Sequence, residues 1–437
     1  MRFRVNARRC ADEDEKYDKQ HRSHVVVSAR LNRQTWFRCC RVPLMRLCYV
    51  AVSIVCATFV SSPSAQEDNP VAALVARLDL ERYKATIKAL TRFGDRRQGT
   101  PRNQAANDWI HAQLQRYGCS NVERMAYHYA PEPFVDSPLG MAGGMPRAIG
   151  GGRPRGVRVP MRANTDPLKQ TDPALRELNS QPTAPGPRDQ VYCTKVGVTR
   201  PDEMYIVSAH MDGQGWGDAT NDNASGVALV MELARLLSAP DVRTERSIRF
   251  ALWNNEEIDY GGSRAYIAQR RALQGKEDPP GSSRYPEPTW LGLIQHDMLL
   301  FDHGMPRADG TVSPEQRPEA DINVEFQAAS AFAQQSQALA WAFQAANEIY
   351  ATDYPVTIGN HMASTDSEMF MDLVPSISLR DNERGVQVGA GWNPHWHQAT
   401  DVYATYSDDD FRLGLNAAQT TLGAIGRLAG ATLLKQR

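Results

Sequence analysis

The stretch Met204–Gly226, MYIVSAHMDGQGWGDATNDNASG, constrains this chain more than any other. Its apolar start, Met204–Ala209, reads as a buried strand that delivers His210 and Asp212 to its end. A Gly-rich loop then carries Asp222 into a helix start. A strand tip thus offers an imidazole with a carboxylate nearby to hold it, and the helix-entry loop offers a second carboxylate, which is the architecture of a metal site. One strand and one loop cannot complete such a site, so later segments must supply the missing ligands.

The chain has 437 residues and a formal net charge of −1, which suits a globular protein with a large core and gives no basic field for nucleic acid. Its first 65 residues differ from the rest. An Arg-rich segment leads to Met45-Arg46, the apolar run Leu47–Val60 and the small-residue exit Ser61–Ala65. That is the pattern of an export signal, and the run falls short of the roughly 20 residues a spanning helix needs. We expect residues 1–65 to be a presequence with its true start at Met45, and residues 66–437 to be one catalytic domain in a secreted or periplasmic protein, with no stable membrane association after signal removal. Val55 before Cys56 argues against lipoprotein processing. Cys10, Cys39, Cys40, Cys48 and Cys56 leave with the presequence, so Cys119 and Cys193 remain as a candidate disulfide in an oxidising compartment.

Residues 69–93 carry a helical apolar stripe, and Asn103–Tyr117 resumes one up to Gly118. Val122–Tyr129 and Gln190–Val198 read as strands, and their pairing would bring Cys119 near Cys193. Between them lies a Pro/Gly-rich excursion, 131–188, without a clear period; it reads as a solvated loop. From Met204 strands and helices alternate: helix Gly226–Leu237, strand Ser247–Trp253, helix Gly262–Leu273, strand Leu291–Gln295. Helix Ala328–Tyr350, strand Ser376–Leu379 and helix Asp408–Leu434 complete the chain. This rhythm predicts an α/β fold with helices on both faces of the sheet.

The strand ends carry the chemistry. Ser247–Trp253 ends in Asn254-Asn255-Glu256-Glu257, adjacent carboxylates that repel unless cations or a shared proton relieve them. In an extended segment their side chains diverge, so one can bind metal while the other faces water. Leu291–Gln295 delivers His296-Asp297-Met298, and Pro394–Asp401 adds His397, with Asp401 four residues on as a natural outer partner. His303, His361 and His395 read as polar loop or outer residues; His395 competes with His397, and the Asp401 spacing favours His397. Trp253, Trp392 and Trp396 fit either a substrate pocket or the core. Each motif is weak alone, but together they stand where open α/β sheets place their ligands.

His210-x-Asp212, Asn221–Gly226, Asn255-Glu256-Glu257, His296-Asp297-Met298 and His397-x-x-x-Asp401 resemble the secreted co-catalytic zinc aminopeptidases, a superfamily that includes glutamate carboxypeptidases and glutaminyl cyclases. The resemblance runs from about Leu80 to the end, apart from the excursion. It implies a three-layer α/β/α sandwich around a mixed, mostly parallel sheet. It also implies two Zn2+ ions bridged by Asp222, with Glu257 and His397 completing one ion and His210 and Asp297 the other. Glu256 would be the general base, Asp212 would orient His210, and the Asp222–Asn223 peptide would be cis. Asn221 and Asn223 stand where acidic residues are also common, and Ser367 after Asp366 replaces a usual His.

The expected function is removal of N-terminal residues from peptide substrates by a metallo-aminopeptidase. The alternatives on this scaffold are a carboxypeptidase, for which Arg380 and Arg384 offer cations, a glutaminyl cyclase, and a non-catalytic ectodomain. Retention of all the ligands and the base weighs against the last.

Overall fold

The computed structural model of the chain describes residues 69–129, 162–307, 309, 311–317, 320–381 and 393–434. The presequence, the first part of the excursion, Trp392 and Arg384 lie outside the described residues.

Helices α1 (Pro70–Val75), α2 (Leu80–Thr91) and α3 (Pro101–Arg116) open the described chain, followed by strand β1 (Glu123–Tyr129). Their starts are locally encoded: Asp79 accepts from Arg82 N at α2, and Thr100 accepts from Asn103 N at α3, where Pro101 takes the first turn. Next come α4 (Pro173–Asn179), β2 (Gly186–Lys195), β3 (Arg200–His210), α5 (Gly226–Leu237), β4 (Val242–Arg243) and β5 (Arg246–Trp253). Then α6 (Glu256–Asp259), α7 (Gly261–Arg270), β6 (Thr289–His296), β7 (Ile322–Glu325), α8 (Ala333–Tyr350) and β8 (Val356–Gly359) follow. The chain closes through α9 (Ser367–Phe370), β9 (Ser376–Arg380), α10 (Asp408–Leu428) and β10 (Thr432–Leu433).

Eight strands form one mixed sheet in the order β1-β2-β5-β3-β6-β9-β7-β8. The central run β5-β3-β6-β9 is parallel, whereas β1, β2 and the β9–β7 pair are antiparallel. Alternation along β3 divides the core: Val207 and Ala209 join one cluster with α2, α5, α8 and α10, while Met204 and Ile206 join the other with α7 and α9. The result is the expected three-layer α/β/α arrangement. Helix α5 is apolar nearly all round and buried accordingly; its one acid, Glu232, pairs with Arg235 at 2.6 Å. β5 follows β3 in sequence on one side and β6 flanks β3 on the other, so the order reverses about β3. A crevice opens there at the strands' C-terminal ends.

Cys119, just past α3, is disulfide-bonded to Cys193 in β2. Three expectations need correction. The helix expected over 328–350 begins at Ala333, and the last helix stops at Leu428; Gly430 then takes φ +66° and Thr432–Leu433 pairs with Val242–Arg243. Strands β7 and β8 were not expected, because four-residue runs show too little of a two-residue period to stand out. The described end of the excursion is no solvated loop: it holds a 3-10 turn at Pro167–Lys169, α4 and the start of β2, and buries Asn164, Gln170 and Asn179.

Candidate functional site

Five segments converge on the crevice. His210 ends β3; Glu256 and Glu257 open α6 directly after β5; Asp297 follows β6; His397 lies in the turns after β9. Asp222 sits in the kinked turn before α5, where its peptide with Asn223 is cis. Asn221 and Asn223 shape that turn: Asn223 Oδ1 accepts from Gly226 N, and Asn221 Oδ1 accepts from Leu299 N and Leu300 N.

Asp222 lies between the histidines. Its Oδ1 is 3.3 Å from His210 Nε2 and its Oδ2 is 3.0 Å from His397 Nε2. His210 Nε2 also lies 3.2 Å from Asp297 Oδ1, and His397 Nε2 lies 2.7 Å from Glu257 Oε2. Ligand-capable atoms of His210, Glu256 and Asp297 fall within 4.8 Å of one another, as do those of His210, Asp222 and Glu257. All the residues expected to hold metal are therefore drawn into one cluster, and Glu256 stands among them.

Two outer partners differ from expectation. The group that meets His210 Nδ1 is the backbone carbonyl of Asp212, at 3.0 Å, while the nearer carboxylate oxygen is 3.9 Å away. That carboxylate instead accepts from Glu256 N and Glu257 N, at 3.1 and 3.4 Å, at the start of α6. Asn255 takes φ +68° just before it, so the glutamates diverge around a helical turn and not along an extended strand. Asp401 does not hold His397; it accepts from Asn221 N at 2.9 Å and Asp222 N at 3.1 Å and so fixes the turn that carries Asp222. The spacing pointed to the right neighbourhood, but local sequence does not specify which backbone a loop carboxylate meets.

The residue that faces His397 Nδ1 is Gln214, whose Nε2 lies 3.3 Å away and donates to Glu257 Oε2 at 2.9 Å. Its only signal in the sequence is its place between Gly213 and Gly215, two residues after Asp212. Arg380 is fully buried and donates to Asp297 Oδ2 at 2.8 Å, so it is engaged at the site's floor. Of the tryptophans, Trp253 packs in the core against Tyr266 and Phe370, while Trp396 stacks on His397 at 4.0 Å. His395 meets Thr400 Oγ1 at 2.9 Å and His303 lies 3.0 Å from Asp302, so both are engaged elsewhere.

The electrostatics are those of a crowded buried acid cluster. Burial alone would raise the Asp222 carboxyl, but hydrogen bonds and charge from His210 and His397 hold it far below the usual carboxylate range. Burial pushes Glu256 well up, and the charges of Glu257, Asp297 and Asp366 add to it. Burial also raises Glu257, and lifts Asp212, Asp366 and Asp401 to about 7. Burial lowers the His397 imidazole, yet Glu257 and Asp222 outweigh it and carry it up to about 10. These carboxylates need positive charge among them.

Cations fit that need. Glu257 Oε1 is buried and makes no hydrogen bond, Asp222 Oδ1 is buried with only His210 Nε2 beside it at 3.3 Å, and both residues belong to the cluster. Imidazole nitrogens with carboxylate oxygens form a mixed donor set that suits zinc and similar divalent ions.

The chain is similar to known proteins in sequence and in fold. Over 129 residues the chain is 32% identical to the probable lipoprotein aminopeptidase LpqL of Mycobacterium tuberculosis, covering 28% of this chain and 25% of that protein. It is 36% identical over 70 residues to aminopeptidase YwaD of Bacillus subtilis, covering 16% of this chain and 15% of that one. The matches thus span a quarter or less of these relatives' lengths. The fold is similar to that of an aminopeptidase from Aneurinibacillus sp. strain AM-1, with a TM-score of 0.52 and 19% identity over 82% of this chain and 96% of that one. It is also similar to Porphyromonas gingivalis glutaminyl cyclase, with a TM-score of 0.50 and 14% identity over 80% of this chain and 99% of that one. The model of Peptidase family M28 matches residues 191–418, more than half of the chain and the span that holds the whole cluster. This chain belongs to peptidase family M28.

Proposed function

We propose that this protein is a zinc-dependent exopeptidase that hydrolyses N-terminal residues from peptides, with two zinc ions held by His210, Asp222, Glu257, Asp297 and His397. The observation that carries the proposal is Asp222, which turns one oxygen to each histidine. Asp222 would bridge the ions, with Glu257 and His397 on one and His210 and Asp297 on the other. Bound zinc would supply Lewis-acid polarisation of the scissile carbonyl and make water more acidic.

The chain's own residues supply the rest. Glu256, beside the ligands but in the next helical position to Glu257, takes a proton from the attacking water and returns it to the leaving amine. The Asp212 carboxylate holds the amides of Glu256 and Glu257 and so fixes the base and a ligand together. Asp401 does the same for Asp222 through its amide. Arg380 fixes Asp297 and offsets part of the acidic charge.

The full chain's formal net charge of −1 gives no basic field for nucleic acid. Among the described residues no helix is long and apolar enough to cross a membrane. The Cys119–Cys193 disulfide supports an extracytoplasmic location, together with the export-like presequence.

The test is an assay of purified protein against free-amine peptides, N-blocked peptides and N-terminal glutaminyl peptides, with and without chelator. Free-amine cleavage that chelator abolishes is expected. Glu256→Gln should lower kcat by about 10²- to 10⁴-fold. Cleavage of blocked peptides alone contradicts the aminopeptidase reading, and cyclisation of glutaminyl peptides without cleavage replaces it with a cyclase.

A further inference from the structure

The loop after β3 and the turns around His397 touch backbone to backbone. A Cβ on Gly215 would come within 2.3 Å of the His397 carbonyl, and one on Gly217 within 2.4 Å of Asp401 O. Asp218 N donates to Asp401 O at 2.9 Å. The relative placement of the two loops therefore sets how His397 and Gln214 meet Glu257 and Asp222.

Three buried carboxamides from residues 164–179 grip both loops. Asn164 donates its backbone N–H to His397 O at 2.8 Å and its side-chain Nδ2 to Gly215 O at 3.3 Å. Gln170 Nε2 spans the loops, donating to Trp216 O at 2.8 Å and Ala399 O at 3.0 Å. Asn179 Nδ2 donates to Gly217 O at 2.7 Å. Their own oxygens are used as well: Gln170 Oε1 accepts from Asp172 N and Asn179 Oδ1 from Asp95 N, both at 3.0 Å. Arg96 completes the set from the other side, donating to Asp218 O and Ala219 O at 2.8 Å. Every carbonyl from Gly215 to Ala219 thus has a side-chain donor.

We propose that residues 162–179 are a positioning strap for His397, with Gln170 as its central tie. The strap lies outside the span 191–418 that the family's model matches, so it belongs to this chain's excursion and not to the matched core. Gln170, 3% exposed, is the one side chain among the three that donates to both loops. Without its Nε2 donor, the Trp216 and Ala399 carbonyls lose this partner and the loops lose the tie that one side chain makes to both.

The inference rests on the proposed metal-ligand role of His397 for one of its two readouts. The variants are Gln170→Met, which keeps volume without a donor, and Gln170→Glu, which keeps the acceptor for Asp172 N but puts oxygen against the two carbonyls. In the first readout, metal-free protein is titrated with Co2+ and followed by its visible absorption. The wild type should bind in two steps, and both variants should weaken one step about 10- to 100-fold while sparing the other. In the second, hydrogen exchange at the amides of 397–401 should quicken in both variants, with α5 unchanged. Wild-type affinities and exchange in both variants, even with a lower Tm, would reduce Gln170 to a space-filling role and overturn the strap. If wild-type protein takes up no Co2+, the functional reading fails, and the exchange readout alone decides the strap. Should the Gln170 variants not fold, Asn179→Ala, which frees the Gly217 carbonyl, is read in the same way.

Discussion

His397 presents Nε2 to Asp222 and Glu257, and the state of its other nitrogen decides what that atom can do. A neutral imidazole that accepts the Gln214 N–H at Nδ1 carries its proton on Nε2, against the carboxylates; with the carboxamide turned, its oxygen accepts from Nδ1–H and Nε2 is free to ligate. Gln214→Leu removes both options at similar volume. We expect zinc affinity to fall about 10-fold or more, measured by competition with a chromophoric chelator; wild-type affinity would show that Gln214 is a bystander. His296, next to the proposed ligand Asp297, is a different histidine altogether. Its Nδ1 meets Ser208 O at 3.0 Å and its Nε2 meets Thr421 Oγ1 at 2.9 Å. Burial lowers it to about 4, so it stays neutral in the fold while the unfolded chain takes up its proton near the ordinary value. Its contribution to stability is complete above about pH 6.5 and is lost as pH falls toward 4, by roughly 3 kcal/mol in all. Urea unfolding in chelator should show His296→Asn less sensitive over that window than wild type; parallel curves would contradict the assignment.

At the scale of elements, β5, β6 and α7 are tied together beneath the site by one buried ionic group. Arg249 pairs with Glu287, whose Oε1 accepts from Tyr266 Oη at 2.6 Å and Trp290 Nε1 at 2.5 Å. Arg249 and Glu287 are almost wholly buried, so removing one partner leaves the other's charge uncompensated. Glu287→Ala should cost about 3 to 5 kcal/mol, read by urea unfolding, and a loss under 1 kcal/mol would show that water reaches Arg249. None of this network was legible in the sequence, because partners on separate elements leave no periodic trace. The helices and central strands were legible for the opposite reason. β3 carries the apolar-rich run Met204–Ala209 and β5 ends in Phe250–Trp253, while α5 has its expected bounds because a mostly apolar helix opens at Gly226 and stops before Ser238. The sequence presents the strap as solvated loop, since Asn164, Gln170 and Asn179 are polar residues whose burial depends on carbonyls 38 or more positions away. The spacing of Asp401 points to His397, yet its carboxylate meets Asn221 N and Asp222 N, because four residues of separation fix a neighbourhood but not which amide the carboxylate meets.

In the whole molecule, the sheet order brings together at one crevice residues spread from His210 to His397, and the reversal about β3 creates that crevice. Family membership and an aminopeptidase-like fold are consistent with that economy: the loops carry the chemistry while the layers hold the strand ends in register. Crystals of zinc-loaded protein measured at the zinc absorption edge test most directly whether two ions share Asp222. Two anomalous peaks are predicted, roughly 3.5 to 4 Å apart, one on each oxygen of Asp222, with His210 and Asp297 on one and His397 and Glu257 on the other. A single peak, or two peaks that do not share Asp222, would contradict that sharing.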